Sequence, residues 1–156
     1  MKKLAFIALA AVAMSGCDFA GGSGSDSLPL AGLQVANLPQ TNAGVAWDAD
    51  GNPDVIVEIQ NAAGRAVYRS EIHQDFDISQ PFSVAVTEAV EIPFSTVQMT
   101  VAVYDVDSGL QDSEIMARSS RFSAEDLAAT PELALQAQSG ETTFSVQRTA
   151  AAPAGE

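Results

Sequence analysis

The chain has 156 residues, 47% of them hydrophobic and 17% charged, a length and balance that suit one domain with a buried core. Seven basic residues against twenty acidic ones leave a formal charge of −13; this excludes nucleic acid as a partner, because binding a phosphate backbone needs basic residues to displace counterions, and it excludes a polybasic membrane-surface module. A single cysteine excludes an internal disulfide framework and a Cys-rich zinc site, and a single histidine excludes a multi-histidine metal centre.

The first segment reads as a secretory signal. Met1-Lys2-Lys3 is a short basic stretch, and Leu4 to Met14 is an apolar run of eleven residues. That run is too short for a bilayer core, which needs about 20 apolar residues. Its end, Met14-Ser15-Gly16-Cys17, resembles the bacterial lipobox, with Met14 where leucine is usual. The resemblance implies that residues 1–16 are a lipoprotein signal peptide and that Cys17 is lipidated and becomes the mature N-terminus. The expected location is therefore the bacterial cell envelope, on a membrane held through Cys17. Asp18 resembles the signal that keeps enteric lipoproteins on the inner membrane, facing the periplasm. Loss of residues 1–16 removes both lysines and takes the charge to −15.

Residues 17–27 follow as a lipidated cysteine and a glycine/serine tether, which cannot bury a core. Residues 28–149 form the folded domain, and the Ala/Pro/Gly-rich residues 150–156 form a disordered tail. Within the domain the dominant hydrophobic period is two. Leu33–Leu38 alternates imperfectly. Val55–Ile59 places Val55, Val57 and Ile59 on one face. Asn61-Ala62-Ala63-Gly64 reads as a hairpin turn leading into a strand at Ala66–Arg69. Phe82–Val86 alternates cleanly. Val97–Tyr104 is the longest expected strand, with Val97, Met99, Val101 and Val103 on one face. Ile115–Phe122 and Thr142–Gln147 add two more. Ser123 reads as the N-cap of a short helix with Asp126 at its third position. The alanine-rich stretch Leu127–Ala137, broken by Pro131, reads as scaffold. Seven or eight short strands with turn-rich joins predict an all-β antiparallel sandwich.

The acidic residues are concentrated in two loops. Trp47–Asp54 holds Asp48, Asp50 and Asp54 just before a strand, and Asp105–Asp112 holds Asp105, Asp107 and Asp112 just after the longest one. Neither segment contains lysine or arginine. If the loops adjoin, each pair of charges about 8 Å apart repels by roughly 2 kcal/mol at an effective dielectric near 20. Solvent, raised pKa values or a hard cation would relieve this. Ca²⁺ takes about six to eight oxygens and tolerates irregular geometry, which loops rich in Asp and Asn can supply.

The order and spacing of these residues resemble the C2 domain, the calcium-dependent phospholipid-binding β-sandwich. The matching features are Asp48 and Asp54, the strand beginning Asn52-Pro53-Asp54-Val55-Ile56-Val57, the strand end Val103-Tyr104-Asp105-Val106-Asp107, and Asp112 beyond it. The family's second loop corresponds to His73–Pro81, with Asp75 and Asp77. The resemblance implies a C2-like fold and Ca²⁺ ligands at Asp48, Asp54, Asp105, Asp107 and Asp112, with Asp50 as the alternative to Asp48. The family's tyrosine after the Asp54 position is absent, and Asp112 comes one residue early. The family's basic phosphoinositide strand has no counterpart in a mature chain without lysine. An EF-hand is also similar over Asp48-Ala49-Asp50-Gly51-Asn52, but Pro53 stands where the turn glycine belongs and Ile59 where the last acid belongs.

These readings predict a binding or adaptor module rather than an enzyme. Its partners would be the membrane, through Cys17, and an acidic phospholipid or protein reached through Ca²⁺. The alternative is a metal-free scaffold or assembly lipoprotein. No Gly-x-Ser-x-Gly nucleophile signature occurs, and the catalytic side-chain inventory is thin. Paired carboxylates could serve a glycosidase, but the chain is short for one. Trp47 reads as a packing aromatic and His73 as a surface histidine. Phe76 and Leu110 read as packing residues near loop tips rather than membrane-inserting fingers.

Overall fold

The computed structural model describes residues 27–86, 90–93, 98–107 and 113–149. The signal segment, Cys17, Asp18, the tether, Leu110, Asp112 and the tail lie outside them. The elements in chain order are β1 (Ser27–Ala36), β2 (Val55–Asn61), β3 (Ala66–Arg69), β4 (Phe82–Ala85), β5 (Glu91–Pro93), β6 (Met99–Val106), β7 (Ser113–Arg118), α1 (Ala124–Ala128), β8 (Glu132–Gln136) and β9 (Thr143–Arg148). They build two antiparallel sheets, as the period-two pattern predicts. One has the order β4-β1-β9-β8, with β5 also paired to β1; the other has the order β3-β2-β6-β7.

The second sheet positions the candidate site. β2 and β6 pair along their length, from Val55 opposite Asp105 to Asn61 opposite Met99. Alternation then sends Val55, Val57 and Ile59 of β2, and Met99, Val101 and Val103 of β6, into the space between the sheets. All are at most 1% exposed. Burying side chains of this size contributes about 1.5–3 kcal/mol each, so this pair is the main hydrophobic seam. From the first sheet Leu33, Val35, Phe144 and Val146 pack against it. Leu127 of α1 is fully buried in the same cluster. The Ser123–Asp126 capping box holds the start of that helix as expected.

The outward face of β2 is also buried, and its polar groups are satisfied. Glu58 is 5% exposed and pairs with Arg69 at 2.5 Å. Gln60 Nε2 donates to Glu58 Oε2 and to Tyr104 Oη, both at 2.6 Å. The turn into β3 forms as predicted. Gly64 has φ +75°, a conformation other residues resist, and its amide donates to the Asn61 carbonyl.

Some elements differ from the expectation. Nine strands form among the described residues, not seven or eight. β8 lies within the stretch read as scaffold, where Leu133 and Leu135 alternate in a segment of helix-favouring composition. The three-residue β5 is too short to leave a periodic signal. The strand expected over Ile115–Phe122 ends at Arg118, and Ser119 and Phe122 make only isolated bridges. Val97 lies outside the described residues.

The chain leaves β3 and β7 in the same way. After β3, the Ser70 amide donates to the Val57 carbonyl, and the Val57 amide donates to Ser70 Oγ at 3.0 Å. After β7, the Ser119 amide donates to the Val101 carbonyl, and the Val101 amide donates to Ser119 Oγ at 2.9 Å. Each serine hydroxyl then donates to the carbonyl of the next residue. A hydroxyl thus takes the place of a ladder carbonyl, and the central strand keeps its bond while the edge strand turns away. Ser119→Ala leaves the Val101 amide without a partner in a fully buried place. The expected loss is about 1–3 kcal/mol of stability, measured by urea unfolding; an unchanged midpoint would refute this account.

Candidate metal centre

The alternation that buries β6 continues past its last valine. Asp105 follows Val103 at the inward parity and is 1% exposed. Asp107 is the next residue of that parity and is exposed at the strand end. The long segment between β1 and β2 brings Asp48 to the same place, and one carboxylate oxygen from each of Asp48, Asp105 and Asp107 lies within 4.8 Å of the others. The two acidic loops therefore adjoin, because Val55 pairs with Asp105 and places both loops at one end of the sheet.

Asp54 stands one residue before Val55 and so has the opposite parity. Its Oδ1 accepts from the Asp75 amide at 2.9 Å, which ties the second loop to the first. The Phe76 amide donates to the Pro53 carbonyl and adds a second tie. Asp75 has φ +49°, and a Cβ on Gly51 would sit 3.0 Å from Asp75 Oδ1, so the glycine makes room for this packing. Asp54, Asp50 and Asp75 line the acidic basin around the triad but are not among the three clustered carboxylates. The clamp made by the Asp75 amide is a feature the sequence did not signal, since it depends on the loop conformation. Asp77 turns elsewhere: its Oδ1 accepts from the Ser79 amide and hydroxyl, which holds its pKa below the usual carboxylate value.

The first loop is held from outside the cluster. Trp47 Nε1 donates to the Pro39 carbonyl at 2.7 Å, and Asn42 Nδ2 donates to Glu114 Oε2 at 2.6 Å. Trp47 is half-buried against the core, as its reading as a packing aromatic predicts. His73 is half-buried rather than on the surface, with its ring edge-on to Phe82 at 4.6 Å. Phe76 meets Phe82 in the same manner at 4.8 Å, so it packs instead of projecting.

Asp105 is the unusual group. Both of its carboxylate oxygens are buried without a hydrogen-bond partner among the described residues. The Val106 amide, close by, donates instead to the Asp54 carbonyl. Glu58 in the same sheet is also buried, but Arg69 and Gln60 satisfy it. A carboxylate removed from water without compensation favours its neutral form. Burial, and then the charges of Asp48 and Asp107, push Asp105 up to about 6, with a small opposing effect of the Val106 and Asp54 amides. Asp48 is raised for the same reasons, burial first and then Asp107, Asp54 and Asp75. The cluster is thus oxygen-only, partly dehydrated and short of positive charge, which fits a hard divalent cation.

This arrangement has a pH signature. The folded pKa of Asp105 lies above its unfolded value of 3.8. Its ionisation therefore costs stability, a cost absent below the unfolded value, growing between the two and complete above about 6. The difference corresponds to about 3 kcal/mol at most. Metal-free urea unfolding should show wild type losing stability relative to Asp105→Asn as pH rises from 4 to 7. Parallel curves would contradict the buried, unpartnered carboxylate.

No family model matches the sequence, and no curated protein matches it significantly. Solved structures do resemble it in fold. One described as a C2 domain is 14% identical and aligns over 77% of this chain and 94% of its own, with a TM-score of 0.44. The second C2 domain of BON1 is 12% identical over 81% of this chain and 94% of its own, with a TM-score of 0.47. A calcium-bound structure of the two C2 domains of extended synaptotagmin 2 is 9% identical over 78% of this chain and 46% of its own, with a TM-score of 0.40. The fold is an all-β antiparallel sandwich, and the solved structures it is similar to are C2 domains.

Proposed function

We propose that this protein is a lipid-anchored bacterial envelope protein whose C2-like sandwich binds Ca²⁺ at the Asp48–Asp105–Asp107 cluster and acts as a binding module. The observation that carries the metal is Asp105, a carboxylate that is 1% exposed, unpartnered among the described residues and part of a three-carboxylate cluster. Oxygens within 4.8 Å of one another can share one ion whose bonds are about 2.3–2.6 Å long. Ca²⁺ suits the site better than Mg²⁺, because irregular loop carboxylates do not offer near-ideal octahedral geometry. Asp50, Asp54 and Asp75 line the basin and would supply further oxygens or order the loops. In the bound form the ion would neutralise the repulsion among these groups and offer open coordination positions to an acidic partner. Because Cys17 would already hold the protein on a membrane, Ca²⁺ would set orientation or contact with a partner rather than recruitment. Asp112 lies outside the described residues and stays in this reading as a further candidate ligand.

Thermal unfolding with and without Ca²⁺ tests the site. Wild type at about 100 times the dissociation constant should gain roughly 2.7 kcal/mol, a rise of several degrees. Asp105→Asn should melt higher than wild type without metal at neutral pH and should not respond to Ca²⁺. That opposite pair of effects separates a metal ligand from a structural residue. A wild type that ignores millimolar Ca²⁺, or a variant that still responds, would overturn the assignment in favour of a metal-free scaffold. Labelling cells with radioactive fatty acid tests the anchor: wild type should carry label and Cys17→Ala should not. Equal labelling of the two would refute it.

A further inference from the structure

A cavity of about 240 Å³ lies at the other end of the β2–β6 pair, beside Asn61 and Met99. The seven residues of β2, at about 3.3 Å each, put it some 20 Å from the acidic basin. Although the chain carries twenty acidic residues, no carboxylate among the described residues lines this cavity, while Arg118 and Arg121 both do. Residues 27–149 contain only five arginines and no lysine. Arg69 is paired with Glu58 and Arg148 donates to the Thr130 carbonyl, so two of the remaining three converge here.

The lining amides are oriented as donors. Asn61 Oδ1 accepts from the Ala63 and Arg65 amides at 3.0 and 3.1 Å, which leaves its Nδ2 hydrogens unengaged by the described residues. Gln98 Oε1 accepts from Arg121 Nη1 at 3.0 Å, which leaves its Nε2 hydrogens unengaged in the same sense and steadies the guanidinium. The Arg118 side chain is half-buried and has no hydrogen bond or ion pair to the described residues. Gln138 is the counter-case, since its Nε2 donates to the Ser119 carbonyl and its Oε1 remains an acceptor. The balance is a cavity with two guanidiniums and two carboxamides presenting N–H groups. Guanidiniums bind oxyanions through paired, charge-assisted hydrogen bonds.

We infer that this cavity is an anion site for a phosphate group, held between Arg118 and Arg121 with Asn61 and Gln98 as neutral donors. The chemistry is shared by free phosphate and by the phosphate of a lipid headgroup. Titration of the full chain in metal-free buffer, followed by amide NMR, distinguishes them, with inorganic phosphate in one arm and glycerol 3-phosphate in the other. Shifts at Asn61, Gln98 and Arg118 that saturate below about 10 mM are expected. Tighter binding of inorganic phosphate identifies the free anion, and tighter binding of glycerol 3-phosphate identifies the headgroup; either supports the site. Arg118→Gln with Arg121→Gln should weaken binding about tenfold or more, whereas Arg148→Gln, away from the cavity, should not. If the double variant unfolds, Arg121→Gln alone provides the same comparison at the exposed residue. No saturable shift in either arm, or equal binding by the arginine variants, would overturn the inference. The readout involves no Ca²⁺, so it stands or falls apart from the proposed metal.

Discussion

The pairing of Val55 with Asp105 governs the functional end of this molecule. It is the first rung of the long antiparallel ladder between β2 and β6. On that rung the inward parity of β6 passes from Val103 to Asp105, so a row of apolar side chains ends in a buried carboxylate. A charge in that position loses its hydration and gains no hydrogen bond from the described residues. The hydrophobic seam along the rest of the ladder supplies the energy that keeps it there. A one-residue slip would turn the valines outward and release the carboxylate, but the same slip would empty the core. The register that stabilises the fold therefore also enforces the unfavourable cluster.

The loops around this end keep mutually repelling groups together through neutral contacts. The Asp54 carboxylate captures the Asp75 amide, Trp47 is tied to the Pro39 carbonyl, and Asn42 to Glu114. None of these uses a basic residue, so they order the loops without neutralising the basin. The few cations of the domain lie elsewhere. Arg69 satisfies Glu58 on the outer face, and Arg118 and Arg121 gather at the far end of the same sheet. The protein thus separates its charges along one sheet: an unbalanced acidic end, and a donor-rich end where no described carboxylate lies. The proposed Ca²⁺ and phosphate sites are readings of these two ends.

Much of the fold was legible because period two is a strong signal where both faces are consistent. β2, β4, β6 and β9 follow their alternation closely, and the Asn61–Gly64 turn and the Ser123 cap follow their local chemistry. β8 was hidden because Glu, Leu, Ala and Gln favour helix, while its strand form depends on pairing with β9. β7 stops at Arg118 because Ser119 offers its hydroxyl to β6, a choice visible only with β6 alongside. In the site, the inward parity of Asp105 could be read from Met99, Val101 and Val103. The place of Asp54 could not, since its carboxylate follows an amide twenty-one residues away in sequence.

The sequence by itself determined the strand pattern, the clustering of acids in two loops without a basic residue, and the likeness of those loops to C2 domains. These are local properties, set by side-chain alternation and composition. Only the tertiary structure decided which carboxylates meet. The register of two strands distant in sequence brought Asp48, Asp105 and Asp107 together, turned Asp54 into a clamp on the second loop, and assembled Arg118 and Arg121 around one cavity. Such juxtapositions depend on ladder pairing and loop conformation, which residue type alone does not specify.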